Sequence, residues 1–374
     1  MPIYMDRHDL RAVTAKDVAE AHREDLKIQH LYQCKGLTYW YDEKRGTAFC
    51  LIEAPNEDCV KRMHDHAHGL VPHQIIEVEP NVVNAFLGRI EDPKSGNFHD
   101  DTNQPIINES ASRIIMYISL KEIVVLRSIV ENKTAIRIIN TVRDIIQESI
   151  NRYNGREVIK ESKRSIISFT SAASAVMCAL EMQNAVKSST LVEPGSAFNI
   201  KISLAAGAPV TDQNKLFGEA IQLAERMCEV ANMEQVVISS EVRDTYNNEI
   251  LDGLAKEIPV QTLSHEDESF INSLVVITES IWNDPQFDVG AFGRQLGLSR
   301  SQFYRKISSI TGLSPNGFIK EYRLRKALYL IEKQRGNVAQ VAFETGFNNP
   351  SYFSKCFHKR YGILPSNLVS NVIN

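Results

Sequence analysis

A short stretch of this sequence concentrates histidines at spacings that suit metal binding. His64 and His68 are four residues apart, so on a helix they share one face and can bind one metal ion together. His66 faces away from them unless the helix has ended, and His73 follows five residues after His68. The alternative is an ordinary helix terminus, where histidines favour the negative end of the helix dipole. Imidazole groups suit nickel, zinc or copper, and ligand softness does not choose among them.

A second chemical signature lies near the C-terminus, at the start of a predicted helix. Ser299 followed by Gln302 forms a capping box, which begins a helix whose first turns carry Arg300, Ser301 and Arg305 outward. A short helix and a glycine-containing turn precede it. This layout predicts a helix-turn-helix unit whose second helix reads DNA. The alternative is a helical hairpin with a solvated basic face.

The same layout occurs twice, which strengthens the DNA-binding interpretation. Asn337 is placed to cap a helix over 338–344, Gly346 supplies the turn, and Pro350 fits the first position of the next helix. A predicted helix over 318–334 joins the two units. Two helix-turn-helix units on one stiff connection predict a protein that contacts adjacent major grooves, which are roughly 34 Å apart on one face of DNA.

The C-terminal segment also resembles a known family over about residues 270–368. The motifs that carry the resemblance are Gly312-Leu313-Ser314-Pro315, Tyr322-Arg323-Leu324-Arg325-Lys326-Ala327, Gly346-Phe347, Ser351-Tyr352-Phe353-Ser354 and Phe357-His358-Lys359. In this order they resemble the AraC/XylS family of bacterial transcription regulators. The resemblance implies seven helices, with two recognition helices entering successive major grooves. One departure is Asn367-Leu368, where the family usually has a Tyr-Arg pair, and we expect it to affect packing of the last turn.

The two predicted recognition helices supply the candidate DNA contacts. We expect base edges to be contacted by Arg300, Ser301, Tyr304, Arg305, Ser351, Ser354 and Lys355. We expect phosphates to be contacted by Lys306, Arg323, Lys359 and Arg360. The expected partners are double-stranded DNA, RNA polymerase and a second copy of the chain, with no membrane partner.

The histidines belong to a predicted ferredoxin-like domain, residues 1–93. Strands and helices alternate as βαββαβ, the split motif of that fold. His8, the strand Gly36-Leu37-Thr38-Tyr39-Trp40-Tyr41 and the run from His64 to His73 make the domain similar to a small family of ferredoxin-like nickel-binding proteins. The resemblance implies a dimeric α+β sandwich that binds nickel or another divalent transition metal. The ligands to test first are His8, His64, His68 and His73.

The middle of the chain, residues 112–252, alternates β-rich runs with amphipathic helices, which predicts an α/β sandwich. It resembles a class III nucleotidyl cyclase domain in Gly155-Arg156-Glu157-Val158, Ala205-Ala206-Gly207-Ala208-Pro209-Val210, Leu216-Phe217-Gly218-Glu219-Ala220-Ile221-Gln222-Leu223-Ala224-Glu225-Arg226 and Val237-Ile238-Ser239-Ser240. Cyclase chemistry needs two aspartates to hold a pair of metal ions. Ser119 and Lys163 stand at those positions, Gln222 replaces the usual Asn, and Arg226 alone remains.

Loss of both metal-holding carboxylates predicts a degenerate cyclase fold used for dimerisation or sensing, without catalysis. The rival interpretation is an active nucleotidyl cyclase with a DNA-binding tail. In a third interpretation, the N-terminal domain stores metal and has no functional connection to the rest of the chain.

Charge and composition fit a regulator of three domains. The net charge is −4, but residues 281–374 carry 13 Lys and Arg against 5 Asp and Glu, which leaves −12 for the rest of the chain. The six cysteines are scattered without a CxxC pair, and no apolar run reaches the roughly 18 residues of a membrane helix, so we expect a cytoplasmic protein. Residues 94–111 and 253–269 are predicted linkers before the second domain and the third, which covers 270–374. The predicted fold class is therefore multidomain α+β: a ferredoxin-like α+β sandwich, a cyclase-like α/β domain and an all-α double helix-turn-helix domain.

Overall fold

The computed structural model describes residues 1–93, 106–120, 123–189, 200–230, 236–250 and 259–373. Most of the predicted linker 94–111 lies outside these residues. Within the described ranges, no helix is both long enough and apolar enough to span a lipid bilayer.

The N-terminal domain has the predicted ferredoxin-like order of elements. Its strands and helices are β1 (Ile3–Asp9), α1 (Ala15–Ile28), β2 (Lys35–Asp42), β3 (Thr47–Glu53), α2 (Glu57–His68), β4 (Gln74–Val78) and α3 (Pro80–Leu87). The strand order is β2-β3-β1-β4, and β1 pairs antiparallel with both of its neighbours. Thr14 and Asp17 form a capping box at the start of α1, and Gly69 ends α2 in the left-handed region.

The two faces of this sheet are buried against different partners. Side chains alternate along a strand, so Tyr4 packs toward the helices α1 and α2 while Met5 packs on the opposite face. On that opposite face, Trp40 and Phe49 share one hydrophobic core with residues of the middle domain. This face of the N-terminal sheet is therefore buried within the chain.

The middle domain is the predicted α/β sandwich. Its elements are β5 (Arg113–Ser119), α4 (Ile123–Ile129), α5 (Asn132–Arg152), β6 (Arg156–Lys160), β7 (Arg164–Phe169), α6 (Ala172–Ser188), β8 (Lys201–Gly207), α7 (Gly218–Val230), β9 (Val236–Ile238), α8 (Ser240–Glu249) and β10 (Val260–Thr262). They build a six-stranded sheet of order β10-β9-β8-β5-β7-β6. One face packs on α5 and α6, and the other packs on α7 and the N-terminal sheet.

The described part of the predicted linker 253–269, residues 259–269, contains regular secondary structure. β10 lies inside it and pairs parallel with β9, with Val260 opposite Val236. The first turn of the next helix also begins there, capped by Ser264 and Asp267. A strand of three residues carries too little periodicity to be recognised in the sequence, and its pairing partner is about 24 residues away.

The C-terminal domain has seven helices, as the family resemblance implies. They are α9 (His265–Ile281), α10 (Val289–Gln295), α11 (Arg300–Thr311), α12 (Pro315–Glu332), α13 (Val338–Glu344), α14 (Pro350–Tyr361) and α15 (Pro365–Ile373). The predicted caps are present at Ser299 and Asn337, and Asp288 caps α10. Leu368, at the departure from the family pattern, is fully buried against α12 and α14.

The middle and C-terminal domains are in direct contact. Met227 and Val230 of α7 join the core of the first helix-turn-helix unit. Lys163, in the turn between β6 and β7, forms an ion pair with Glu332 at the end of α12. The Arg325 guanidinium donates a hydrogen bond to the Glu229 carbonyl at 2.9 Å. The helix that joins the two units therefore lies against the middle domain.

Candidate functional site

A buried cluster of histidines and carboxylates lies between the N-terminal sheet and its helices. β1 contributes Asp6 and His8, which alternate onto the helix-covered face, α1 contributes Asp25, and α2 contributes His64 and His68. The side chains of Asp6 and His64 are almost wholly inaccessible to solvent. Charged groups are seldom buried unless they are paired or bind a cation, so the cluster is a functional-site candidate.

His64 is the centre of this cluster because both of its ring nitrogens face carboxylates. Its Nε2 lies 2.9 Å from Asp6 Oδ2, and its Nδ1 lies 3.0 Å from Asp25 Oδ1. His68 Nε2 approaches from the same side as Asp25, 3.2 Å from His64 Nδ1. The four-residue spacing thus brings His64 and His68 together, as predicted.

The carboxylates around His64 favour the protonated form of its ring. Burial alone would lower its pKa, but the hydrogen bonds to Asp25 and Asp6 raise the pKa to about 10. Burial pushes the pKa of Asp6 up, but His8 and His64 hold that pKa well below its usual range. The pKa of Asp25 is likewise lowered, against the effect of burial, by its hydrogen bonds to His64 and His68.

Two donor groups share His64. One comprises Asp6, His8, Cys50 and His64, the other Asp25, His64 and His68, and within each group the ligand atoms lie within 4.8 Å of one another. His8 Nε2 is buried without a hydrogen-bond partner, although it lies 3.3 Å from Asp6 Oδ1. Burial raises the pKa of the Cys50 thiol well above its ordinary value, which disfavours a thiolate there.

The donor set fits a divalent transition metal. Imidazole nitrogens and carboxylate oxygens are ligands for such ions, and the unpartnered His8 nitrogen points into the cluster. Asp6 and Asp25 bring two negative charges, which the His64 proton neutralises only in part. A divalent ion that replaced this proton would balance both carboxylates.

Three of the four histidines predicted as metal ligands lie in the observed cluster. His8, His64 and His68 are brought together, but His73 lies outside both donor groups, and its Nδ1 accepts the backbone N–H of Asp9 at 3.1 Å. His66 faces away, as predicted, toward the Tyr32 hydroxyl at 2.9 Å.

Sequence reasoning missed three members of the cluster: Asp6, Asp25 and Cys50. Alternation along β1 could have placed Asp6 beside His8, because residues two apart in a strand share a face. Asp25 and Cys50 carry no local signal, since tertiary packing alone brings them to the histidines.

The recognition helices α11 and α14 present most of the predicted DNA contacts to solvent. The exposed ones are Arg300, Ser301, Tyr304, Arg305, Ser351, Lys355 and Lys359. Phe303 and Phe353 on the opposite faces are fully buried, which fixes the rotation of each helix about its axis. The exposed faces are therefore basic and polar, as contact with DNA requires.

Four of the predicted DNA contacts form ion pairs or hydrogen bonds within the protein. Lys306 pairs with Asp267 at 2.6 Å, and Arg360 pairs with Glu321 at 2.8 Å. The Ser354 hydroxyl donates to the Pro350 carbonyl at 2.9 Å. The Arg323 guanidinium donates to two backbone carbonyls. The partners of Lys306, Arg323 and Arg360 are distant in the sequence. The partner of Ser354 lies one helical turn before it.

The cyclase-like positions of the middle domain are also engaged in internal contacts. Lys163 pairs with Glu332, Gln222 accepts a hydrogen bond from Gln213 at 3.0 Å, and Arg226 donates to Asn272 Oδ1 at 2.8 Å. Two of these contacts reach the C-terminal domain. Lys163 and Arg226 therefore form part of the interface between the middle and C-terminal domains.

Two family models match separate parts of the chain. Residues 4–78 match "Nickel responsive protein SCO4226-like", and residues 292–371 match "Helix-turn-helix domain". The crystal structure of SCO4226 from Streptomyces coelicolor is 31% identical in sequence, over 20% of this chain and 94% of that chain, with a TM-score of 0.20.

Curated relatives match the C-terminal part. Histidine kinase P4 of Formosa agariphila is 41% identical over 105 residues, 28% of this chain and 8% of that protein. The HTH-type transcriptional regulator MtrA of Neisseria gonorrhoeae is 30% identical over 115 residues, 31% of this chain and 35% of that protein. The chain thus spans only a minor part of either relative.

These matches assign two domains to families. The C-terminal segment is an AraC-type helix-turn-helix domain. The N-terminal segment is an SCO4226-like domain, the class that the ferredoxin-like sheet and the histidine cluster had indicated.

Proposed function

We propose that this protein is a sequence-specific DNA-binding transcription regulator whose N-terminal domain responds to a divalent transition metal. The observation that carries the proposal is the pair of capped helices α11 and α14, whose polar and basic faces are exposed while their aromatic faces are buried in one domain. The basic charge of this domain on an otherwise acidic chain supports DNA as the partner.

The experiment that tests DNA binding is a selection of duplexes from random-sequence DNA by the full-length protein, followed by mobility-shift titration of the selected duplex. Enrichment of one motif with two half-sites about one helical turn apart is the expected result. Recovery of unrelated sequences with equal affinity would contradict sequence-specific binding.

The metal-responsive part of the proposal rests on the cluster around His64. The match to a nickel-responsive family makes nickel the first ion to test, with zinc and copper beside it. The ion would be held by one of the two donor groups, either Asp6, His8 and His64 or Asp25, His64 and His68. Metal storage is the competing role. Because coupling between two sites is reciprocal, a metal that leaves DNA affinity unchanged would favour storage over sensing.

An active cyclase is the competing function from another class. Lys163 carries a positive charge at the position where a cyclase needs a metal-holding carboxylate, and this charge disfavours cyclase activity. Cyclic nucleotide production from ATP or GTP with manganese would favour the enzyme. We assign the middle domain to signal transfer between the N-terminal domain, which carries the histidine cluster, and the DNA-binding domain, since it contacts both of these domains.

The remaining partners follow from the proposed regulator. RNA polymerase is the partner that such a regulator would engage at a promoter. A homodimer would have to use a surface other than the N-terminal sheet face, which is buried within the chain.

A further inference from the structure

Arg323 lies near the middle of α12, the helix that joins the two helix-turn-helix units. Its Nε donates to the Trp282 carbonyl at 2.6 Å, and its Nη2 donates to the Asp284 carbonyl at 2.5 Å. Both carbonyls belong to the segment between α9 and α10, immediately before the first unit. The side chain thus holds the entrance of that unit against the joining helix.

The same guanidinium also lies against the turn of the second unit. Gly346, between α13 and α14, has a φ of +77°, and a Cβ built on it would lie 3.0 Å from Arg323 Nε and 2.9 Å from the Asn283 carbonyl oxygen. The absence of a side chain at Gly346 therefore lets this turn close onto the guanidinium and onto the segment that it binds.

These contacts differ from those of a phosphate-binding arginine. Arg323 is half-buried, and burial lowers its pKa, with the charge of Asp284 acting in the opposite direction. Two of its donors are already committed to backbone carbonyls. The planar fork of a guanidinium can satisfy two such acceptors at once, whereas a lysine ammonium is a compact charge without that geometry.

We propose that Arg323 is a positioning residue that fixes the spacing and angle between the two recognition helices. The proposal rests on the proposed function, because the spacing matters only if both helices contact one DNA molecule. It replaces the phosphate contact that the sequence predicts for this residue.

The expected consequence is selective for DNA with two half-sites. When the first unit binds its half-site, a rigid connection through α12 and Arg323 keeps the second unit at a high effective concentration near its own half-site. A more flexible connection lowers that effective concentration and leaves the DNA contacts of each unit unchanged. Affinity for the complete site should then fall, while affinity for a single half-site should stay.

The test compares Arg323→Lys and Arg323→Gln with the wild type in the full-length protein. The probes are the duplex that the wild type selects from random-sequence DNA and the same duplex with its second half-site scrambled. We expect both variants to lose about tenfold or more in affinity for the complete duplex, and to bind the scrambled duplex within about twofold of the wild type.

The two substitutions separate positioning from phosphate binding. If Arg323→Lys binds the complete duplex like the wild type while Arg323→Gln reduces the salt slope by about one, Arg323 is a phosphate contact and the proposal fails. An equal loss on both duplexes by a folded variant, checked by circular dichroism, would also overturn it. If the wild type selects no DNA, the proposed function itself fails.

A second variant covers the case in which the Arg323 variants do not fold. Gly346→Ala changes the same contact from the side of the second unit. Its Cβ would lie too close to the Arg323 guanidinium and to the Asn283 carbonyl oxygen. We expect it to show the same selective loss on the complete duplex. Unchanged affinity of Gly346→Ala for that duplex would overturn the proposal.

Discussion

At the scale of single residues, the metal site depends on His64, because both donor groups contain it. We predict that His64→Ala abolishes nickel binding in isothermal titration, while His73→Ala retains it because the His73 ring lies outside both donor groups and accepts the Asp9 backbone N–H. His66→Ala is the matched control, since that side chain faces Tyr32. Wild-type nickel affinity in a folded His64→Ala variant would refute the assignment.

The recognition helices allow a second prediction at this scale. Arg300 and Lys359 are both exposed, but they are expected to contact a base edge and a phosphate, respectively. Arg300→Ala should relax specificity in one half-site at a cost of roughly 1–3 kcal/mol, whereas Lys359→Ala should weaken all sequences and reduce the salt slope by about one. Mobility-shift titrations on point-mutated duplexes measure both effects. Equal losses on every sequence for Arg300→Ala would remove it from the base contacts.

Single residues also mark the limits of sequence reasoning. The pairing of His64 with His68 follows from helical spacing alone, and Asp6 could have been found from strand alternation. The contacts of Lys306 with Asp267 and of Arg360 with Glu321 join residues about 39 positions apart, so no local pattern indicates that these cations are already engaged.

At the scale of elements, each recognition helix depends on its N-terminal cap. The Ser299 hydroxyl accepts the Gln302 N–H, and the Gln302 side chain accepts the Ser299 N–H. We predict that Ser299→Ala lowers the free energy of unfolding of the C-terminal domain by about 1 kcal/mol in urea denaturation. Ser309→Ala, late in the same helix, is the control and should change it by less than about 0.5 kcal/mol. Equal effects of the two substitutions would argue against the cap.

Helices that begin at a recognisable cap residue could be predicted from the sequence. Elements whose hydrogen bonds depend on residues distant in the sequence could not. Ser299 and Asn337 gave the starts of α11 and α13, and the seven helices follow the family pattern. β10 was missed because its three residues depend on β9 for their hydrogen bonds. α4 was missed because a seven-residue helix contains less than two full apolar repeats.

At the scale of the whole molecule, the three domains form one continuous chain of contacts. The N-terminal sheet packs on the middle sheet, and the middle domain packs on α9 and α12 of the C-terminal domain. A change at the metal cluster can therefore reach the DNA-binding domain through packed side chains. Neither interface could be predicted from the sequence. The apolar residues at each interface have the same pattern in the sequence as residues buried inside a single domain.

The ion pair between Lys163 and Glu332 allows a test of the second interface. We predict that Lys163→Glu separates the thermal unfolding of the C-terminal domain from that of the middle domain, because two like charges would then face each other. The double variant Lys163→Glu with Glu332→Lys should restore a shared transition in calorimetry. The same unfolding profile in the single variant and the wild type would show that the pair does not hold the domains together.

The most direct test of the whole account is the DNA affinity of the full-length protein with nickel and with a metal chelator, measured by fluorescence anisotropy on the selected duplex. We predict that nickel changes the dissociation constant by at least about fivefold, which corresponds to a coupling free energy of about 1 kcal/mol. His64→Ala should abolish this response and keep DNA binding. Identical dissociation constants with each of nickel, zinc, copper and chelator would contradict a metal-responsive regulator.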